Sequence, residues 1–478
     1  MTTYLIKNVS VVDGMANPRF LSDIEIVGDK IARIGAGLEN DSAVVIDGKG
    51  LTAAPGFIDV HTHDDTNVIR EPECEPKITQ GITTVIVGNC GISASPAVLD
   101  DLPPDPMNLL GAREDFQYPT FQHYVEAVEQ ALPAVNVAAL VGHTTLRNNV
   151  MDDLYRPANA QEIAAMRLQL KASLEEGALG LSTGLAYASA FDSSSSEVEQ
   201  LAAELTHQQA IYTTHMRSEF EPILDAMEEA FKVGRMNQVP VIISHLKCAG
   251  AGNWGRTTET LKLLDETSKK QNVGCDCYPY SASSSTLDLK QVTDEFEIFI
   301  TWSEPHPEHA QKTLQQIADE TNQTLIEAAK MLQPAGAVYH NMCPEDVERV
   351  LQSKHSVIGS DGLPNDPHPH PRLWGAFPRV LGFYSREKQL FSLEQAVHKM
   401  TGKSAQRFNL LNRGVIKAGA FADIVLFDAN TIKDAATFSK PQRKAEGIHS
   451  VFVNGGLAYQ HKNIQSQRYG QFIRRASC

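Results

Sequence analysis

The chain has 478 residues, 42% of them apolar, enough to bury a large core and too many for one ordinary domain. A formal net charge of −16 argues against a general nucleic-acid or membrane-surface binder. No run of about 18 uncharged apolar residues occurs, so no membrane span is expected, and seven cysteines without disulfide-scaffold density fit a reducing cytoplasm.

Residues 1–54 read as short strands: YLIKNVSVVDG, SDIEIVGDKIARIG and AVVIDGKGLTAAPG. The first of these alternates polar and apolar residues and lacks the basic stretch and apolar run of a leader. Residues 410–478 read similarly, through GVIKAGAFADIVLFD and HSVFVNGGLAYQ. Both ends are expected to meet in one small β domain, with two unrelated edge hairpins as the alternative. Residues 55–409 alternate strand and helix patterns, which implies parallel strands with right-handed crossovers. Eight candidate strands follow in order: GFIDVHTH, TTVIVGNC, NVAALVGH, ALGLSTGL, IYTTH, VPVIISH, VGCDCYPY and SVIGSD. Eight apolar strands with helices between them, such as ANAQEIAAMRLQLKASLEEGA, match a closed α/β barrel. Residues 94–120 are proline-rich and expected to be an irregular loop. A longer segment, 284–342, precedes strand eight and holds a candidate strand, EFEIFITW, and two helical runs. It is expected to stand beside the active face as a lid or pocket wall, or else to be plain decoration.

Six residues end these strands where a metal would want them: His61, His63, Cys90, His215, His245 and Asp361. In extended backbone the side chains of His61 and His63 project to one side, so both imidazoles can face one ion. HxH pairs also arise by chance, a lone cysteine is usually a packed core residue, and Asp before Gly is usually a turn. Those bland readings weaken because all six fall at one end of successive strands. A carboxylate beside a metal can take a proton from water and return it to a leaving amine, which suits Asp361. No lysine ends strand four, so a carbamylated lysine bridging two metals has no source there. No P-loop occurs, which argues against nucleotide chemistry of that kind.

Nearly end to end, the chain resembles the amidohydrolase superfamily, and within it the D-aminoacylase (N-acyl-D-amino-acid deacylase) family. The motifs that carry this are PGFIDVHTHDD, PKITQGITTVIVGNCGISASP, LSTGLAY, THMRSE, ISHLKCAG, YPYSASSS, GSDG, HPRLWGAFPRVLGFYSRE and GAFADIVLFD. The resemblance implies a distorted TIM (β/α)8 barrel, a small β-sandwich domain built from both termini, and an insertion before strand eight. It implies one tightly held Zn2+ on Cys90, His215 and His245, and a weaker second site on His61, His63 and Asp361. Asp361 would be the general acid/base, and Lys247, Tyr278, Arg372 and Tyr187 would bind substrate.

The activity so implied is hydrolysis of N-acyl-D-amino acids, a small-molecule reaction in the cytoplasm by a monomer or homo-oligomer. Acid-specific members place an arginine shortly after YPYSAS; here Asp288 and Lys290 stand there. Neutral or hydrophobic D side chains are therefore expected, unless Asp288 and Lys290 simply face solvent. Alternatives are acidic or cationic D-amino acids, a dipeptide or a cyclic amide. A retired, purely structural barrel would have lost ligands, and all six are present.

Overall fold

A computed structural model describes residues 2–476. Eight short strands follow one another in parallel: Phe57–Asp59, Ile82–Val87, Asn136–Ala139 continued by Val141–Gly142, Gly180–Gly184, Ile211–His215, Val241–Ile243, Val273–Cys277 and Ser356–Ile358. The ring closes at its C-terminal rim. Thr62 bridges Gly362 in parallel, Asp361 N donates to His61 O at 2.7 Å, and His63 N donates to Gly362 O at 3.0 Å.

Alternation along the strands explains why they are apolar throughout. Phe57, Val85, Val87, Val137, Val241 and Ile243 join the core beneath the helices, while Ile58, Ile86, Ala138, Ile242 and Val357 fill the barrel. The helix Ala160–Glu175 shows how local sequence sets the outer layer. Asn159 caps it in a reciprocal box with Glu162, and Ile163, Met166, Leu170 and Leu174 form its buried stripe. Burying one such side chain contributes about 1.5–3 kcal/mol.

The barrel is distorted between strands three and four. They meet only near Ala139 and Val141–Gly142. Below that point the C-terminal tail lies against strand three, with Val137 N donating to Gln471 O and Ile473 N donating to Val137 O. These tail residues leave the terminal sheet and pack with the barrel. NVAALVGH is also shorter as a strand than its pattern predicts, because His143 begins the helix His143–Val150.

Both termini build one nine-stranded sheet. Thr52–Pro55 joins the halves by pairing with Tyr4–Val11 on one side and Ile424–Phe427 on the other. The sheet curls on itself: the Tyr4 and Phe452 rings lie 5.1 Å apart although three strand spacings, about 14 Å, would separate them in a flat sheet. Ile424 and Leu426 face that inner core, and Val425 and Phe427 pack on the barrel.

The segment before strand eight has its own four-stranded antiparallel sheet, Ser283–Thr286, Ala335–Tyr339, Ile298–Ser303 and Lys312–Thr313 in spatial order. Helices Leu314–Thr321 and Leu325–Leu332 cover it around Ile300, Ile317, Ala328 and Ala337. Within residues 94–120, Ala97–Val98 pairs with Gln117–Tyr118, a short ribbon where irregular loop is expected. No helix of the described residues is long and apolar enough to cross a membrane.

Candidate metal centre and substrate pocket

The six strand-end residues converge. His61 and His63 follow strand one, Cys90 strand two, His245 strand six and Asp361 strand eight, while His215 is the last residue of strand five. His61 Nε2 lies 3.1 Å from Cys90 Sγ, which is 3.4 Å from His245 Nε2. His245 Nε2 is 3.1 Å from His215 Nδ1. Asp361 Oδ1 is 3.2 Å from His63 Nε2 and 3.5 Å from His61 Nε2. Donor atoms of His61, Cys90, His245 and Asp361, all buried, lie within 4.8 Å of one another. A thiolate with imidazoles and a carboxylate is a donor set that suits zinc.

Backbone strain aims these groups. Cys90, His245 and Asp361 have φ of +53°, +36° and +51°, left-handed values that cost about 1–3 kcal/mol each in a non-glycine residue. Close packing holds them there. A Cβ on Gly184 would fall 2.1 Å from the Cys90 carbonyl oxygen, and one on Gly359 would fall 2.5 Å from His61 Cβ.

Electrostatics follow from the crowding. Burial opposes ionisation of Cys90, but His61 and His245 outweigh it and hold the thiol well below its ordinary value. Burial likewise opposes ionisation of Asp361, and Arg372 and His245 pull its carboxyl well below the usual carboxylate range. Arg372, itself 1% exposed, puts Nη1 2.8 Å from Asp361 Oδ2 and lies over the Tyr278 ring at 4.7 Å. Burial raises the Tyr278 hydroxyl to about 12. Lys247 is also engaged, 2.6 Å from Glu219 Oε1. Tyr187 flanks His215 at 4.9 Å between rings. Arg217, the basic residue two positions beyond His215, instead bonds Glu229 at the pocket rim.

Sequence reasoning missed two carboxylates that touch this centre. Asp276 accepts from His245 N at 2.9 Å and lies 3.2 Å from His61 Nδ1. Its signal was an acid within an apolar strand, at a position alternating with Cys275 and Cys277, which point to the outer core. Glu219 lies in THMRSE, four residues beyond His215, but nothing local shows where that loop returns.

A cavity of ≈ 710 Å³ opens onto His63, His215, His245 and Asp361. Tyr187, Phe191, Phe220 and Leu363 form apolar wall, and residues of the inserted segment, Ser283–Gln291 and Tyr339, form the facing side. The segment is thus a pocket wall. Asp288 and Lys290 both line the cavity. Asp288 Oδ1 accepts from Lys290 N at 2.9 Å, and Lys290 Nζ stands 4.6 Å from the Phe191 ring centroid.

A model of the amidohydrolase family matches residues 44–459. A D-aminoacylase of Alcaligenes xylosoxydans xylosoxydans is 44% identical, covering 99% of this chain and 98% of its own. An N-acyl-D-aspartate deacylase of that organism is 42% identical (98% and 94%), and its N-acyl-D-glutamate deacylase is also 42% identical (97% and 95%). A crystal structure of a D-aminoacylase superposes with TM-score 0.96 at 45% identity over 99% of both chains. The N-acyl-D-glutamate deacylase of Bordetella bronchiseptica, solved with zinc and a phosphonate mimic of the tetrahedral intermediate, gives 0.95 at 40% identity over 98% of this chain and 99% of its own.

Proposed function

The chain belongs to the amidohydrolase family, and on that premise we propose that it is a zinc-dependent deacylase of N-acyl-D-amino acids with neutral or hydrophobic side chains. The observation that carries this is the convergence of Cys90, His61, His63, His215, His245 and Asp361 at one barrel mouth, beside a pocket lined by Lys247, with Arg372 buried behind Asp361 as its ion-pair partner. Cys90, His215 and His245 would hold the tight zinc, and His61, His63 and Asp361 a weaker one. Zinc, when bound, supplies Lewis-acid polarisation of the acyl carbonyl and acidifies water.

The chain's own groups carry the rest. Asp361, kept ionised chiefly by Arg372, takes a proton and returns it to the departing amine. Lys247, Arg372 and the Tyr278 hydroxyl bind the amino-acid carboxylate, for which the Arg fork gives bidentate geometry. Both cations already pair with acids, Glu219 and Asp361, so a substrate carboxylate shares them. Tyr187 lines the pocket beside His215 and contacts the substrate there.

The three related deacylases differ in named substrate but hardly in identity, so overall similarity does not select a side chain. The wall supports the neutral reading. Phe191, Phe220 and Leu363 offer apolar surface, the Lys290 ammonium lies on the Phe191 ring, and the Asp288 carboxylate is taken up by the Lys290 backbone N–H. The described cysteines are free thiols, in keeping with a cytoplasmic site of action.

Initial rates on N-acetyl derivatives of both enantiomeric series test this. Hydrolysis is expected for D-Leu, D-Phe and D-Met derivatives, with kcat/KM above that for D-Asp, D-Glu and D-Lys. Turnover of the L series alone would overturn the class, and preference for D-Asp or D-Glu would overturn the side-chain assignment.

A further inference from the structure

Glu219 lies between strand five and the helix Ile223–Asn237, and is only 7% exposed. Its backbone carbonyl accepts from Ala249 N at 2.8 Å, tying this loop to the one that follows strand six. Its carboxylate reaches three groups at once. Oε1 is 2.9 Å from His245 Nδ1 and 2.6 Å from Lys247 Nζ, and Oε2 is 3.8 Å from His215 Nε2. Those are the far nitrogens of the two rings. The near ones, His245 Nε2 and His215 Nδ1, face each other at 3.1 Å beside Cys90 Sγ.

An imidazole binds metal through an unprotonated nitrogen, so the ring proton must sit on the far one. At His245 the far nitrogen has two neighbours with opposite demands. Glu219 only accepts, and therefore calls for Nδ1–H. Lys247 only donates, and its Nζ is 2.9 Å from the same Nδ1. Left alone with His245, Lys247 would favour a lone pair on Nδ1 and move the proton to Nε2, where it would point at Cys90 Sγ. The charge-assisted bond from Lys247 to Glu219 is shorter and stronger than a bond to a neutral ring nitrogen.

We propose that Glu219 is a positioning residue that selects the metal-binding tautomer of His245, by drawing the Lys247 ammonium to itself and accepting the Nδ1 proton. Its second oxygen, 3.8 Å from His215 Nε2, is beyond direct hydrogen-bond reach, so the effect falls on His245. The inference rests on His215 and His245 being zinc ligands, as proposed above. It differs from a plain counter-ion role for Glu219, which would neutralise Lys247 and leave zinc affinity untouched.

The test reads zinc dissociation constants by chelator competition on the full chain carrying E219L, E219Q, K247M or E219L/K247M, with thermal midpoints as the control for folding. E219L is expected to weaken zinc about 10–100-fold, E219Q less, and K247M to stay within about threefold of the parent. The double variant should regain much of the loss, because the competing donor is gone. Parent-like zinc affinity in E219L would overturn the proposal, as would a double variant as weak as E219L. If E219L does not fold, parent-like affinity in E219Q overturns it. No substrate enters the measurement, so a failure of the deacylase assignment registers separately.

Discussion

Lys77 has the most demanding environment of any lysine near the site. Its side chain is 1% exposed, and Nζ lies 2.9 Å from Asp59 Oδ2, 3.0 Å from Asp64 Oδ2, 2.7 Å from Thr62 Oγ1 and 3.1 Å from Ser360 Oγ. These partners interleave with His61, His63 and Asp361, where strands one and eight close the barrel. Burial opposes its charge, yet Asp59 and Asp64 raise its pKa, so the ammonium is present at neutral pH. Replacing Lys77 with Met keeps the stem and leaves two buried carboxylates without their cation. Breaking a buried pair in this way costs about 3–5 kcal/mol. Melting entropy scales at about 2.1 cal/mol/K per residue, or about 1 kcal/mol/K for a chain of this length. A loss near 4 kcal/mol therefore lowers the midpoint by about 4 °C if the chain melts as one unit. Scanning calorimetry with zinc held saturating measures this, and K77M/D64N should recover part of the loss because one charge has gone. A midpoint for K77M within about 1 °C of the parent, or strictly additive losses in the double variant, would refute the reasoning.

Replacing Cys90 with Ala should abolish tight zinc retention and deacylase activity together, read by metal analysis and initial rates; an active, zinc-free variant would sink the assignment. D361N should keep the tight zinc and lower kcat by about 10²–10⁴-fold, the usual worth of a general acid/base, and an unchanged kcat would reassign the proton carrier. Away from the site, Arg33 first and Asn40 next lower the Glu25 carboxyl from 4.5 to about 2. The folded state thus favours the ionised form, so this contribution is full above about 4.5 and is lost as pH falls toward 2. E25Q should cost about 1 kcal/mol at pH 7, discounted because Arg33 is half-exposed. That deficit should shrink between pH 4.5 and 3; a deficit constant with pH would contradict the sign.

Local pattern made much of this protein legible. Apolar runs of strand length ending in His, Cys or Asp placed six donors at strand ends, because strand periodicity and turn residues act over a few positions. The inserted segment was visible as an interruption of the alternation, though its strand Ser283–Thr286 was hidden because it lies directly beyond strand seven in a serine-rich stretch. The tail was misleading for the opposite reason: Gln471–Ile473 continue past the last terminal strands, yet bond to strand three on the far side of the chain.

Sequence alone therefore determined the alternating architecture and the strand ends that bear the His, Cys and Asp side chains. Tertiary structure decided which partners meet. That Asp276 faces His61, that Lys77 gathers Asp59 and Asp64, and that Glu219 stands between His245 and Lys247 depend on barrel stagger, ring closure and the return path of loops. Those contacts join residues from different strands and loops, up to hundreds of positions apart, and no local periodicity encodes such distances.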